Sequence, residues 1–249
     1  DGIRDLVRSR GLGDVYKRQA LAIAGFTKDM SVAIDFPVIL MQYACLLFSL
    51  CVHEAAHAAM ADRCGDPTAR LMGRLTLNPL KHIDPLGTVI MPLLMMLTRF
   101  PFLFGFAKPV PFNPRNLNNI RRDPMLIALA GPGSNLLLII AFTFVLRITV
   151  LASGITTVEE LVQSPAAMIA LYMVVINLVL MLFNCIPLPP LDGHHVLAYF
   201  LPPSGKRMLQ QIGPFGLLIA ILVGGRLIHP PLVFLRNLVV AYGLFGFNL

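Results

Sequence analysis

The chain has 249 residues, of which 56% are hydrophobic and 13% charged, whereas an ordinary soluble domain carries about 25% charged residues. With a mean hydropathy of +0.74, it could not cover a soluble surface, which excludes an ordinary water-soluble globule and predicts a polytopic membrane protein. The net charge of +7 does not point to nucleic acid, because the basic residues lie in short loops between apolar runs, where the positive-inside rule places them.

Residues 1–19, DGIRDLVRSRGLGDVYKRQ, are polar and lack both apolar periodicity and the apolar centre of a signal peptide. They resemble the translated read-through of a sequencing-library adapter, so they are expected not to belong to the natural protein. Residues 20–249 are read as one membrane-embedded domain. Its first stretch, 20–33, is weakly apolar and broken by Lys28 and Asp29. An apolar run over 36–61 has no glycine and no proline after Pro37, and predicts one long helix. The polar, turn-rich stretch 62–85 follows, and its alternation at 70–77 predicts a short strand or hairpin. Residues 86–104 are apolar but interrupted by Pro92 and Pro101, and 105–123 form a basic, proline-rich loop. Spans are predicted over 125–152 and 166–186, and two apolar runs, 212–228 and 231–247, close the chain. The fold class is thus all-α, with about four to six membrane segments of roughly 20 residues each.

The charges orient these spans. Loop 105–123 carries Lys108, Arg115, Arg121 and Arg122, and loop 188–208 carries Lys206 and Arg207. Loop 153–165 carries no Lys or Arg and two Glu. The alternation predicts that the first two are cytoplasmic and the third external. Loop 62–85 is also basic, with Arg63, Arg70, Arg74 and Lys81. It shares a side with 105–123 only if 86–104 enters and leaves by one face, so that segment is predicted to be re-entrant. The end of helix 36–61 and the PLPPLDG stretch at 187–193 are then expected to meet at one membrane face.

Those two places hold the chemistry. His53-Glu54-Ala55-Ala56-His57 puts two imidazoles at i and i+4 on one helical face, where both can reach one metal ion. Glu54 then lies beside that ion as a general base. The HExxH pattern arises by chance in only a few per cent of sequences of about this length, and an ionisable group within a membrane is functional by default. Catalytic zinc typically takes a third protein ligand, and the candidates near cytoplasmic membrane edges are Asp84, Asp123 and Asp192. Asp192 stands out, because Pro187, Pro189 and Pro190 force the chain out of helix just before it. The cysteines (Cys45, Cys51, Cys64, Cys185) form no CxxC pair and are read as buried thiols.

HEAAH in a membrane helix, followed by NCIPLPPLDG at 184–193, resembles the site-2 protease family of intramembrane zinc metalloproteases, which pairs HExxH with N-x-x-P-x-P-x-L-D-G. The stretches AGPGSN (130–135), FGFAKPVP (104–111) and GRLTLNPLKHIDPLG (73–87) are similar to the compact bacterial branch, and the likeness covers about 36–201. No PDZ or CBS module is visible. The resemblance implies zinc as cofactor, His53, His57 and Asp192 as ligands, Glu54 as catalytic base, and Asn184 as a polar group lining the site. It also implies helical membrane proteins or peptides as substrates, a lipid bilayer as surroundings, and a multi-pass place in the bacterial cell membrane with the site towards the cytoplasm. Asn135 is either an interhelical hydrogen bond or part of the substrate site. This chain reads Gly193-His194-His195 where the family commonly continues with glycine and a basic residue. These imidazoles are bystanders, compete for metal, or titrate near neutral pH. His82 and Asp84 line a water path or serve turn and capping roles. A membrane zinc-binding protein or transporter without proteolytic activity is the alternative function, although it would not need Glu54.

Overall fold

The computed structural model describes residues 36–97 and 105–245. The expectations for 1–19 and 20–33, and for the part of the apolar run 86–104 that falls at 98–104, lie outside the described residues. Helix α1 is Phe36–Arg63, with its proline in the first turn, where a missing N–H costs nothing. It stops because Gly65 takes a left-handed φ of 98°, the usual conformation just past a helix end. A side chain could not follow: a Cβ on Gly65 would lie 2.8 Å from Asn118 Oδ1.

The next residue anchors the whole loop system. Asp66 is fully buried and accepts hydrogen bonds from the Thr68 amide and hydroxyl at 3.1 and 2.5 Å. It also accepts from the Asn113 amide at 2.6 Å and from Asn116 Nδ2 at 2.8 Å. One carboxylate therefore clips the start of the excursion that follows α1 to its end. After a single turn of helix, α2 (Thr68–Leu71), the chain does not extend. This corrects the strand or hairpin expected over 70–77, and there is no strand among the described residues. Gly73 reverses the chain at φ 66°. The Arg74 guanidinium turns inward to donate to the Lys81 carbonyl, and His82 Nε2 donates to the Thr76 carbonyl at 2.8 Å. The alternation is real, but local polar bonds use the inward positions while Leu71, Leu75 and Leu77 stay exposed.

Asp84 caps the next element, accepting from the amides of Leu86 and Gly87 at 3.0 and 2.8 Å. A π-helical turn, Pro85–Ile90, runs into α3, Met91–Leu97. Among the described residues, 85–97 is shorter than the roughly 20 residues of a crossing helix. The chain also comes back to where it left. The Lys108 amide donates to the His82 carbonyl at 2.9 Å, and the Phe106 amide to the Gly87 carbonyl at 3.1 Å. The Thr88 hydroxyl donates to the Phe106 carbonyl at 2.8 Å. The Phe106 ring lies over Gly87, where a Cβ would be 2.3 Å away. Residues 82–88 and 106–108 are thus fastened together.

Helix α4 is Asp123–Ser153, and Gly154 at φ 63° ends it. The short α5 (Val158–Gln163) begins on a capping box of Thr157 and Glu160, and α6 is Pro165–Asn184. Helices α7 (Gly193–Phe200) and α8 (Pro203–Phe245) follow, and α8 joins the two closing apolar runs in one element. Its segments Pro203–Gly213 and Phe215–Gly224 are bent by 82°. Among the described residues α1, α4 and α6 are long and apolar enough to cross a membrane, and the bent pair makes a fourth candidate. Helix α4 packs along both α6 and α1. Its other side exposes Leu129, Leu136, Leu137, Ile140, Phe144 and Ile148, an apolar face suited to lipid and not to water. The chain is a multi-pass membrane protein.

Two outcomes are expected. Single cysteines at the exposed positions Arg70 and Arg115, in a chain with Cys185 replaced by serine, should be labelled from the same side of the membrane; labelling from opposite sides contradicts re-entry. The second concerns Asp66. Burial raises its pKa, but the hydrogen bonds from Thr68, Asn116 and Asn113 outweigh this and hold it below the ordinary carboxylate value. A lowered folded pKa stabilises the fold above the unfolded value of about 3.9 and is lost as pH falls through the folded one. Asp66→Asn should therefore cost on the order of 2–3 kcal/mol at neutral pH. The gap to wild type in thermal unfolding should shrink below about pH 4.

Candidate metal centre

The site lies where α1, α4 and the stretch between α6 and α7 meet. On α1, His53 and His57 leave the same face, and both are buried. Their rings are 4.6 Å apart and nearly perpendicular, with the two Nε2 atoms 3.0 Å from each other. Asp192 completes the group: its Oδ2 lies 3.2 Å from His53 Nε2 and 3.4 Å from His57 Nε2. All three ligand atoms fall within 4.8 Å of one another. Glu54 is half-buried beside them and is not a member of that group.

Local sequence explains how Asp192 reaches a helix so distant in the chain. Three prolines end α6, the Pro189–Pro190 peptide is cis, and the Leu191 amide donates back to the Leu188 carbonyl at 2.9 Å. Gly193 then passes against the end of α6 so closely that a Cβ would sit 2.4 Å from the Cys185 carbonyl oxygen. The folded-back segment turns the carboxylate towards α1. From the other side, α4 provides room. A Cβ on Gly131 would lie 2.4 Å from His57 Nε2 and 2.6 Å from His53 Cε1, so only glycine leaves space for both rings. The outer ring nitrogens are also engaged. His57 Nδ1 donates to the Ile127 carbonyl at 2.7 Å, and His53 Nδ1 lies 3.1 Å from Asn135 Oδ1.

This donor set fits a divalent metal ion. A carbonyl can only accept, so His57 carries its proton on Nδ1 and, when neutral, presents a bare lone pair at Nε2. That lone pair faces a second imidazole nitrogen and a carboxylate oxygen. Asp192 Oδ2 is itself buried with no hydrogen-bond partner. Electron-rich atoms crowded in a medium of low dielectric repel one another unless a cation lies among them. Two histidines and one carboxylate are also a recurrent ligand set for catalytic zinc.

The other two candidates for the third ligand have different work. Asp123 is fully buried, accepts from the Asn119 amide at 2.7 Å and pairs with Arg122 at 3.0 Å, while Asp84 is the helix cap described above. His82 serves the turn through Thr76. Asn135 does make an interhelical bond, and its partner is a predicted ligand. Asn184 donates to the Leu180 carbonyl of its own helix at 3.0 Å and sits half-buried at the end of α6. His194 Nδ1 donates to the Leu191 carbonyl at 2.6 Å. His195 packs edge-on to Phe112, with ring centroids 5.9 Å apart. Burial, helped by the neighbouring His194, pushes the His195 pKa down to about 4, so this ring stays neutral where an ordinary histidine titrates. Sequence reading missed Ile127, whose contribution is a backbone carbonyl with no side-chain signature. It also missed Ser49 and Asn177, both fully buried and joined at 2.8 Å one turn before His53. There the signal was available, because Ser49 lies four residues before His53 on the same face.

Fold and site together define a membrane-embedded metallopeptidase. Residues 41–223 match Peptidase family M50, and the chain belongs to that family. It is similar to "Putative zinc metalloprotease YwhC" of Bacillus subtilis, with 37% identity over 187 residues covering 74% of this chain and 80% of that protein. Similarity to "Putative zinc metalloprotease Rip2" of Mycolicibacterium smegmatis is 29% over 190 residues, covering 75% and 67%. The protein of that name in Mycobacterium tuberculosis is likewise 29% identical, over 189 residues. No solved structure matches the chain. The protein is a zinc metalloendopeptidase of the membrane.

The glycine argument gives a paired test. Gly131→Ala should cost on the order of 1–3 kcal/mol in overpacking and should abolish zinc retention through purification. Gly133→Ala, whose Cβ meets nothing within 4 Å, should retain zinc as the wild type does. Metal analysis of the two purified variants checks this.

Proposed function

We propose that the chain hydrolyses peptide bonds within or near the transmembrane segments of membrane-protein substrates, as in regulated intramembrane proteolysis. In this reading His53, His57 and Asp192 hold the zinc ion, Glu54 is the general base, and the site opens towards the cytoplasmic side of a bacterial cell membrane. The catalytic unit is a single membrane-embedded domain with its motif-bearing core at 36–201. The observation that carries this reading is the convergence of three ligand atoms from α1 and the 187–193 segment within 4.8 Å, at the inner end of helices long and apolar enough to span a bilayer. The basic loops at that end support the cytoplasmic orientation.

When bound, the zinc ion supplies Lewis acidity for the scissile carbonyl. Glu54 takes a proton from the attacking water as the C–O bond forms, then delivers it to the amide nitrogen as the C–N bond breaks. In this reading Asn184 is a polar group lining the site, and Asn135 contacts His53 from α4. A substrate helix hides its carbonyls in its own hydrogen bonds, so it must unwind before attack. The non-helical segment 105–113 would receive the unwound strand by β-augmentation.

The mutants separate the roles. Glu54→Gln should keep zinc and lose about 10²–10⁴-fold in cleavage. Asp192→Ala should lose both zinc and cleavage, since two imidazoles hold zinc poorly. The measurements are zinc content and cleavage of a transmembrane reporter peptide by the purified protein. Cleavage by Glu54→Gln at the wild-type rate would sink the proteolytic mechanism.

A further inference from the structure

Asn135 is fully buried on α4, and its amide is only half used: the Ser134 hydroxyl approaches its Oδ1 at 3.4 Å. Its Oδ1 faces His53 Nδ1 at 3.1 Å, while its Nδ2 is buried without a hydrogen-bond partner. Polar groups are rarely left like this inside a bilayer, where nothing else can satisfy them. The two ligand imidazoles are treated alike: each has its Nε2 in the ligand cluster and its Nδ1 on an oxygen of α4. For His57 that oxygen is the Ile127 carbonyl, a group no substitution can remove and one that admits only a proton donor. For His53 it is a side-chain amide, which is not restricted in that way. Turned over, Asn135 would donate Nδ2–H to Nδ1 and drive the His53 proton onto Nε2, into the cluster. A protonated Nε2 cannot be a ligand.

We infer that Asn135 is a positioning residue that acts through His53, holding its imidazole in the Nδ1–H tautomer with Nε2 bare. The inference rests on the ligand set proposed above and deepens it. Its Oδ1 is the acceptor that keeps the proton outside the cluster, and the unpaired Nδ2 is the cost of that orientation. Outer-shell partners of this kind typically matter by 10- to 100-fold in metal affinity.

The test uses the full chain in detergent micelles with Glu54→Gln as background, so that no readout depends on catalysis. Zinc affinity is measured by competition with a chromophoric chelator, and the histidine tautomer of the zinc-free protein by 15N chemical shifts of the ring nitrogens. Asn135→Leu should weaken zinc binding by about 10- to 100-fold and shift His53 towards the Nε2–H form. Asn135→Asp, an obligate acceptor, should keep affinity within about threefold of the background or better and keep the Nδ1–H form. A merely structural asparagine would leave the tautomer unmoved and would not be rescued by aspartate. The inference is overturned if Asn135→Leu leaves affinity and tautomer unchanged, or if Asn135→Asp weakens binding as much as Asn135→Leu. Asp192→Ala in the same background distinguishes the two levels. If it binds zinc like the background, the ligand set is wrong. If it loses zinc while Asn135→Leu does not, only the role of Asn135 falls.

Discussion

Two buried imidazoles and a carboxylate oxygen with their ligating atoms held within 4.8 Å impose the main constraint on this molecule. Ionisable groups among apolar helices are costly to bury, and mutual repulsion adds to that. Nothing local in α1 can offset this cost. The compensation comes from elsewhere in the chain: an oxygen for each outer ring nitrogen from α4, a glycine on the same helix to admit the rings, and a proline-broken segment that delivers the negative charge. The order of the helices follows. Helix α4 must run beside α1 for its Ile127 and Asn135 to reach both rings, and the end of α6 must lie at the same level for Asp192 to arrive.

Close approach of helices makes this feasible. Without a hydrophobic driving force between apolar surfaces in lipid, helices associate where small residues let backbones come together. Ala58 and Ala61 on α1, with Ala128 and Gly131 on α4, are buried and line this contact. Pro132 sits inside α4, where it removes a backbone donor. That is tolerated in a membrane helix surrounded by protein partners. The polar Ser49–Asn177 pair ties α6 to α1 in the same layer, so the three long helices are joined by directional bonds as well as by packing.

Much of this was legible in the sequence, for physical reasons. The His53–His57 spacing fixes a shared helical face whatever surrounds it, and the prolines before Asp192 fix a break in helix whatever follows. Loop charge could suggest only a shared side for 62–85 and 105–123, whereas the hydrogen bonds between 82–88 and 106–108 are backbone contacts with no signature in composition. Less legible were features that depend on which surfaces meet. Alternation at 70–77 looked like strand because period-2 patterning does not say which bonds the polar positions make. Here Arg74 and His82 bond locally and Gly73 turns the chain. Among Asp84, Asp123 and Asp192 the composition was equal. The prolines singled out Asp192, and the partners then separate the three: amides for Asp84, Arg122 for Asp123, imidazoles for Asp192. The Ile127 carbonyl could not be read at all, since every residue has one.

The Asp66 clip has a consequence for how such a chain can vary. By joining Thr68 to Asn113 and Asn116, it closes the excursion after α1 into a ring at its base. Lengthening a loop whose ends are already fixed costs little, since closure entropy grows only logarithmically with length. Length changes near the exposed Leu71, Met72 and Leu80 would therefore disturb the base little, whereas Ala107, packed with Leu46 and Leu50 of α1, holds its own part of the excursion in place.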